Sequence, residues 1–356
     1  MQARLKTRLN WVNIIMGVTA LIFIAVLIFG AYNTLTSAKY SVAQWENLVI
    51  SGLARGSIYA LIALGYTLVY GVLRMINFAH SEVFMCGPFT AYFVASALNQ
   101  TGFLNASPLS TVISLLIIMA VSMLVSLLIA VGLERVAYRP LRTAPRLVPL
   151  ITAIGASFFL LYTFRGLYGA GVFRYPQIDL LQGSFTILGV TITYTQALVI
   201  VAAFILMAVL YAFVIRTKAG KAMRAVSEDK PTASLMGIDI DRSIVVTFML
   251  GGAAAGAAGF FYAMIFGQVS FAMGFVPGLK AFTAAVLGGI GSIPGAFLGG
   301  ILLGVIEALF PNLILDGLGI PAPNQLADGL GFTVLVLVLI FRPSGILGER
   351  LSSAKA

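Results

Sequence analysis

Few residues in this chain of 356 could do chemistry. There is one histidine, His80, so no pair of histidines can hold a metal. The single cysteine, Cys86, excludes an intrachain disulfide framework and a cysteine-based zinc site. Its apolar surroundings suit a small packing residue. No G-x-S-x-G elbow presents a serine nucleophile. Gly220-Lys221 is followed by Ala222 and lacks a glycine five residues earlier, so no Walker A loop is present to cradle phosphates. The sequence therefore predicts no catalytic set, no metal and no cofactor. The ionisable residues that fall within or beside apolar runs are Arg55, Glu307 and Asp328. Charge at membrane depth marks a solute pathway by default. Arg55 and Glu307 each lie toward the end of a run, so snorkelling to the interface is the competing reading. An embedded series of acids, such as a proton-coupled carrier often shows, is missing.

The other local signal is the segment 216–242, RTKAGKAMRAVSEDKPTASLMGIDIDR. Asp229 can cap a helix, and Pro231 is tolerated in a first turn whose N–H groups have no partner. Glu228 and Asp229 suit the positive helix end. Gly237 can adopt the left-handed stop. A helix of about two turns over 230–236 is predicted, exposing Leu235 and Met236. It is either a solvated surface helix or one that docks into a groove of a soluble partner.

The elements that must carry these residues are membrane spans. Hydrophobic residues make up 60% and charged residues 10% of the chain, against roughly 25% charged in soluble domains. Mean hydropathy is +1.02. Residues 47–73 carry one charge, Arg55, over a length sufficient for a bilayer core of ~30 Å. The net charge of +10 is read as basic cytoplasmic loops rather than a nucleic-acid surface. The first ten residues hold Arg4, Lys6 and Arg8 before an apolar stretch, 11–31. That stretch exceeds the 7–15 residues of a signal-peptide core, which favours an uncleaved span with the N-terminus inside. Further spans follow at 83–98, 109–133, 147–164, 193–215, 243–266 and 326–341, with Arg74, His80 and Glu82 in the loop after 47–73. The loop 134–146 holds Arg135, Arg139, Arg142 and Arg146 against Glu134, the strongest inside signal. Asn105 and Gln177 are placed outside, and Arg142, Lys221 and the C-terminus inside. The end of the external segment 165–192 reads as β-like. Residues 281–310 read as a broken-helix hairpin that dips in and returns, interrupted around Gly291-Ser292-Ile293-Pro294-Gly295. Gly288, Gly289, Gly291 and Pro294 at this break join Arg55 and Glu307 as candidate pathway residues. The prediction is an all-α polytopic transmembrane bundle of about ten segments. Gly52/Gly56, Gly252/Gly256, Gly295/Gly299 and Gly300/Gly304 have the spacing of close helix packing. No internal repeat of fixed period is visible, although inverted repeats can be too weak to see.

Four blocks carry a family resemblance: ALIALGYTLVYGVLRMINFAHSEVFM (60–85), ERVAYRPLR (134–142), RAVSEDKPTASLMGID (224–239) and KAFTAAVLGGIGSIPGAFLGGILLGVIEAL (280–309). Together they resemble the permease subunits of branched-chain amino acid ABC importers, from about Asn47 to Gly348. The resemblance implies a bacterial inner-membrane protein with both termini cytoplasmic. It also implies ATP-binding subunits, a second permease subunit and an extracytoplasmic substrate-binding protein as partners. The segment Glu228, Asp229, Leu235, Met236 and Gly237 would then be the coupling helix that meets an ATPase. Similar permeases carry urea, amides or other amino acids. Residues 1–40 are an N-terminal extension with an extra span, 41–348 the permease domain and 349–356 a cytoplasmic tail. Spans 47–73 and 243–266 and the hairpin would line the path, its half-helix dipoles aimed at a zwitterion. An autonomous secondary carrier or channel and a membrane-embedded enzyme are the rival classes.

Overall fold

The computed structural model describes residues 11–348 apart from 143, 146, 188 and 343. The predicted basic N-terminus and the tail 349–356 lie outside the described residues. Among the described residues, twelve α-helices run α1 (Trp11–Thr36), α2 (Val42–Leu73), α3 (His80–Gln100), α4 (Pro108–Leu133), α5 (Leu147–Tyr168), α6 (Tyr194–Arg216), α7 (Lys218–Glu228), α8 (Lys230–Leu235), α9 (Ile240–Phe266), α10 (Phe275–Gly288), α11 (Ile293–Phe310) and α12 (Ala327–Phe341). The described residues also form four short strands: β1 (Phe173–Arg174), β2 (Ser184–Ile187), β3 (Val190–Thr193) and β4 (Gln268–Val269). β2 pairs antiparallel with β3, so the β-like 165–192 end forms a hairpin, and β1 pairs with β4.

Among the described residues, seven helices are long and apolar enough to cross a bilayer, or eight if the bent pair 323–341 counts as one. The count of about ten is therefore slightly high. α10 has only 14 residues, or ~21 Å. α3 begins with His80, Ser81 and Glu82 and contains Pro88, so it is less apolar than a lipid-crossing helix. The predicted loop at 74–82 is shorter than expected. His80 and Glu82 belong to the first turn of α3 and are buried.

Close packing explains the order of the helices. Gly52 and Gly56 of α2 face Gly304 and Gly300 of α11, running antiparallel; a Cβ on Gly56 would lie 2.8 Å from the Gly300 carbonyl oxygen. Gly252 and Gly256 of α9 face α4 in the same way, where Ser122 Oγ donates to the Gly256 carbonyl at 2.7 Å. Such small residues let backbones approach where lipid offers no hydrophobic drive. α3 packs on α4 and α10 on α11. α10 runs antiparallel to α3, with Gly274 and Gly278 against Ser81. α2 and α9 meet at Gly65 and Gly251.

These contacts form one pattern used twice. α2–α3–α4 and α9–α10–α11 are equivalent triplets of opposite direction, each first helix packed on the last helix of the other triplet. α4 and α11 each continue into a one-turn π-helix, Glu134–Tyr138 and Pro311–Leu315. This is an inverted repeat, carried by backbone and small residues rather than by a repeated sequence. In each triplet a non-helical stretch, 74–79 or 268–274, leads into a helix that begins against buried residues. Irregular backbone is tolerated at such depth when protein covers it. α1 stands outside the pattern and packs on the 311–315 turn. There Asn33 Nδ2 donates to the Gly317 carbonyl at 3.2 Å, and Lys39 pairs with Asp316 at 2.6 Å.

Candidate functional site

The N-terminal half of α2 presents Gln44, Asn47, Leu48, Ser51 and Arg55 at intervals of three and four residues, which puts them on one helix face. With Glu307, Ala308, Asn312, Asn324 and Ala327 they line a cavity of about 540 Å³. Arg55 and Glu307, separated by 252 positions in sequence, therefore share one chamber. The antiparallel glycine contact between α2 and α11 brings them within about a turn of each other along the pair. Arg55 makes no hydrogen bond or salt bridge among the described residues, and its side chain is exposed.

Glu307 is buried, and its partner was not singled out from the sequence. Lys280 Nζ donates to Glu307 Oε1, to Asp328 Oδ1 at 2.6 Å and to Tyr59 Oη at 3.4 Å. The ammonium also lies 5.6 Å from the centre of the Tyr59 ring. One cation thus ties α10, α11 and α12 to α2. Glu307 Oε2 has no hydrogen-bond partner. In the sequence Lys280 sits one residue before the apolar run 281–290 and reads as the edge of a loop. The available signal was a lone lysine followed by isolated acids in two later apolar segments.

The remaining pathway candidates lie elsewhere. Gly288 and Gly289 sit at the hairpin tip, where Ile346 and Leu347 N–H groups donate to the Leu287 and Gly288 carbonyls, each at 2.9 Å. Gly291 lies in the connection and Pro294 in the first turn of α11, and none of these four lines the cavity. Their positions suit close backbone contact. A Cβ on Gly289 would meet Gly348, and its φ of 106° disfavours other residues.

A second cluster forms on the opposite end of the bundle. Glu134, fully buried, accepts two hydrogen bonds from Arg139, at 3.2 and 3.3 Å, and one from Arg142. Arg142 also pairs with Asp241 in the first turn of α9. Arg74 Nη2 donates to the Ser227 carbonyl at 3.2 Å, linking the end of α2 to α7. Beside this network stands α8. Asp229 caps it through the Thr232 N–H at 3.1 Å, Pro231 occupies its first turn, and Gly237 follows with φ 79°. Leu235 and Met236 are 88% and 77% exposed while Ala233 is buried, so the helix turns its large apolar residues away from the protein. Partial burial, with Arg142 and Arg74 nearby, holds the Lys230 ammonium below its ordinary pKa. Glu228 ends α7 immediately before the cap. The basic loops share this end, whereas Asn105 Nδ2 donates to the Gln177 carbonyl, at 3.1 Å, at the other.

Residues 48–339 match the family model for the branched-chain amino acid transport system / permease component. The chain belongs to this family. It is 44% identical over 304 residues to the high-affinity branched-chain amino acid transport system permease protein BraD of Pseudomonas aeruginosa, covering 85% of this chain and 95% of that protein. It is 39% identical over 310 residues to LivH of Escherichia coli K12, covering 85% and 94%. A probable LivH of Methanocaldococcus jannaschii is 26% identical with similar coverage, 85% and 93%. No solved structure matches significantly. Like other members of this permease family, the chain is a multi-pass membrane protein and not itself an enzyme.

Proposed function

We propose that this chain is the permease subunit of an ABC importer that moves branched-chain amino acids into a bacterial cell. The observation that carries the reading is one bundle with a charged cavity at one end and a capped, outward-facing apolar helix at the other. ATP-binding subunits dock on α8 through Leu235 and Met236, and a second permease subunit and an extracytoplasmic binding protein complete the importer. The basic loops around Arg142 and Lys221 face the cytoplasm, as the retention of Lys and Arg on that side supports, and both termini lie there too. The cavity then opens outward, toward the binding protein. Residues 41–348 form the permease domain, and α1 adds a span that braces the 311–315 turn. Arg55 and Glu307 line the path, while Gly288, Gly289, Gly291 and Pro294 shape the hairpin. ATP binding in the partner moves α7–α8, and Arg74 and Arg142 relay that movement into α2, α4 and α9.

The test is uptake of radiolabelled leucine into proteoliposomes holding this chain with the ATP-binding subunits, second permease and binding protein from the same gene cluster. Uptake should require internal ATP. Uptake that persists without the ATP-binding subunits and collapses with a proton ionophore would instead assign a secondary carrier.

A further inference from the structure

We infer that the elbow between α6 and α7 is a docking site for the headgroup of an anionic phospholipid, with Arg216, Lys218, Lys221 and Arg224 meeting its negative charge. The inference is independent of which solute the chain carries. α6 has 23 residues, or ~34 Å, enough to cross a hydrocarbon core of ~30 Å. Val201, Ile205 and Val209 are exposed on one face of α6, and the exposed Arg216 ends that face two turns after Val209. The row therefore runs from acyl-chain contact to a cation where the span leaves the hydrocarbon.

One residue, Thr217, separates α6 from α7. Its Oγ1 donates to the Phe213 carbonyl at 2.7 Å and accepts from the Gly220 N–H at 3.0 Å. A Cβ on Gly220 would lie 2.3 Å from the Val214 carbonyl oxygen, so the first turn of α7 is folded against the last turn of α6. α7 therefore starts at headgroup depth. Gly220, Met223 and Val226 form its buried face, and it packs on α2, α6 and α9. Lys218, Lys221 and Arg224 recur every three residues on the exposed face. Arg224 Nη2 donates back to the Ile215 carbonyl, at 3.3 Å, which draws its guanidinium toward Arg216.

Charge balance points to the occupant. Residues 216–227 hold these four bases and no acid, and Glu228 comes only at the far end of α7. None of the four bases forms an ion pair among the described residues. At the same end of the bundle, Arg139 and Arg142 are instead paired with Glu134 and Asp241. A protein partner is the weaker match. α7 exposes no large apolar residue, and lysine is depleted from the cores of protein interfaces. A phospholipid supplies the missing negative charge while its acyl chains lie along Val201, Ile205 and Val209. Clusters of about four or more bases beside a span suit anionic lipid, each base near the surface contributing roughly fivefold in affinity.

The experiment places a bimane fluorophore on Ala222→Cys in a Cys86→Ser background and assembles the permease–ATPase complex in phosphatidylcholine nanodiscs. Nitroxide-bearing phosphatidylglycerol or phosphatidylcholine is then titrated as quencher. Phosphatidylglycerol should reach half-quenching at a mole fraction at least tenfold lower than phosphatidylcholine. Lys218→Gln/Lys221→Gln should raise that mole fraction roughly 25-fold, as two bases at roughly fivefold each require, and Lys218→Arg/Lys221→Arg should restore it. Arg135→Gln/Arg342→Gln removes the same charge after α4 and α12 and should change nothing. Tail-less glycerophosphoglycerol should not relieve the quenching. Equal quenching by the two lipids on the unmodified complex overturns the assignment, whichever variants fold. So does an equal loss in the Arg135→Gln/Arg342→Gln control, which would mean diffuse attraction to the surface. Relief by glycerophosphoglycerol would reassign the elbow to soluble phosphates. Selectivity that appears only after the ATP-binding subunits are stripped off would give this face to a protein contact.

Discussion

Lys280→Met tests the buried ion cluster most directly. The substitution keeps a long apolar stem and deletes the ammonium shared by Glu307 and Asp328. The two acids respond differently because their exposures differ: 4% for the Glu307 side chain and 63% for Asp328. Asp328 returns to water, and its pair with Lys280 is worth ~0–1 kcal/mol, as exposed pairs are. Glu307 stays buried without a counter-ion, with only the Tyr59 hydroxyl beside it, and breaking such a pair costs ~3–5 kcal/mol. Glu307→Gln should cost less than Lys280→Met, since Lys280 retains Asp328 and Tyr59. Asp328→Asn should cost least, and Lys280→Met/Glu307→Gln should recover much of the loss because no buried charge is stranded. The only cysteine, Cys86, is fully buried, so reaction with a fluorogenic maleimide reports unfolding without an added probe. Measured across an SDS titration of the purified chain, the expected order of stability is wild type, Asp328→Asn, Glu307→Gln, Lys280→Met. Lys280→Met within 1 kcal/mol of wild type, or Asp328→Asn as the costliest change, would refute the reasoning.

Leu235→Asp combined with Glu228→Ala should leave membrane expression near normal. An unpaired carboxylate at a partly solvated partner surface costs ~1–3 kcal/mol, so leucine uptake and substrate-stimulated ATPase activity should fall together by about 5- to 150-fold. Wild-type uptake would make α8 a solvated surface helix. Gly300→Leu should abolish a monodisperse peak in size-exclusion chromatography, since even a Cβ would lie 2.6 Å from that of Ala60 and overpacking costs ~1–3 kcal/mol or more. Gly71→Leu on α2, with open space around it, should elute as wild type. In a Cys86→Ser background, Asn105→Cys and Gln177→Cys should react with an impermeant maleimide added to sealed cells, and Lys221→Cys only after lysis.

What the sequence could and could not reveal divides along the range of the interactions involved. The short helix α8 was legible nearly to the residue because Asp229, Pro231 and Gly237 act on their own backbone neighbours. The long spans were legible because lipid demands apolar length. Lys280 was not, because its burial is created by α11, α12 and α2, tens to hundreds of positions away. His80 and Glu82 read as loop residues because charge suggests water, whereas here a broken helix begins inside the bundle. The inverted repeat was invisible because it resides in helix direction, in glycine spacing and in two π-turns of unlike sequence, ERVAY and PNLIL. The count of spans erred where α3 and α10 trade lipid contact for protein contact.

The C-terminal segment has a bearing on how the chain is made. The last two carbonyls of α10, on Leu287 and Gly288, are satisfied by the N–H groups of Ile346 and Leu347. A helix normally closes its own end locally, with a cap or with water. Here closure waits for residues translated almost sixty positions later. During synthesis the hairpin must therefore persist with open acceptors until α12 has inserted and the chain behind it arrives. A nascent chain stalled after α11 should remain sensitive to protease at 287–292, and release of residues 345–348 from the ribosome should bring protection. The final residues of the described chain act as a latch on assembly, and α10 is the element that they complete.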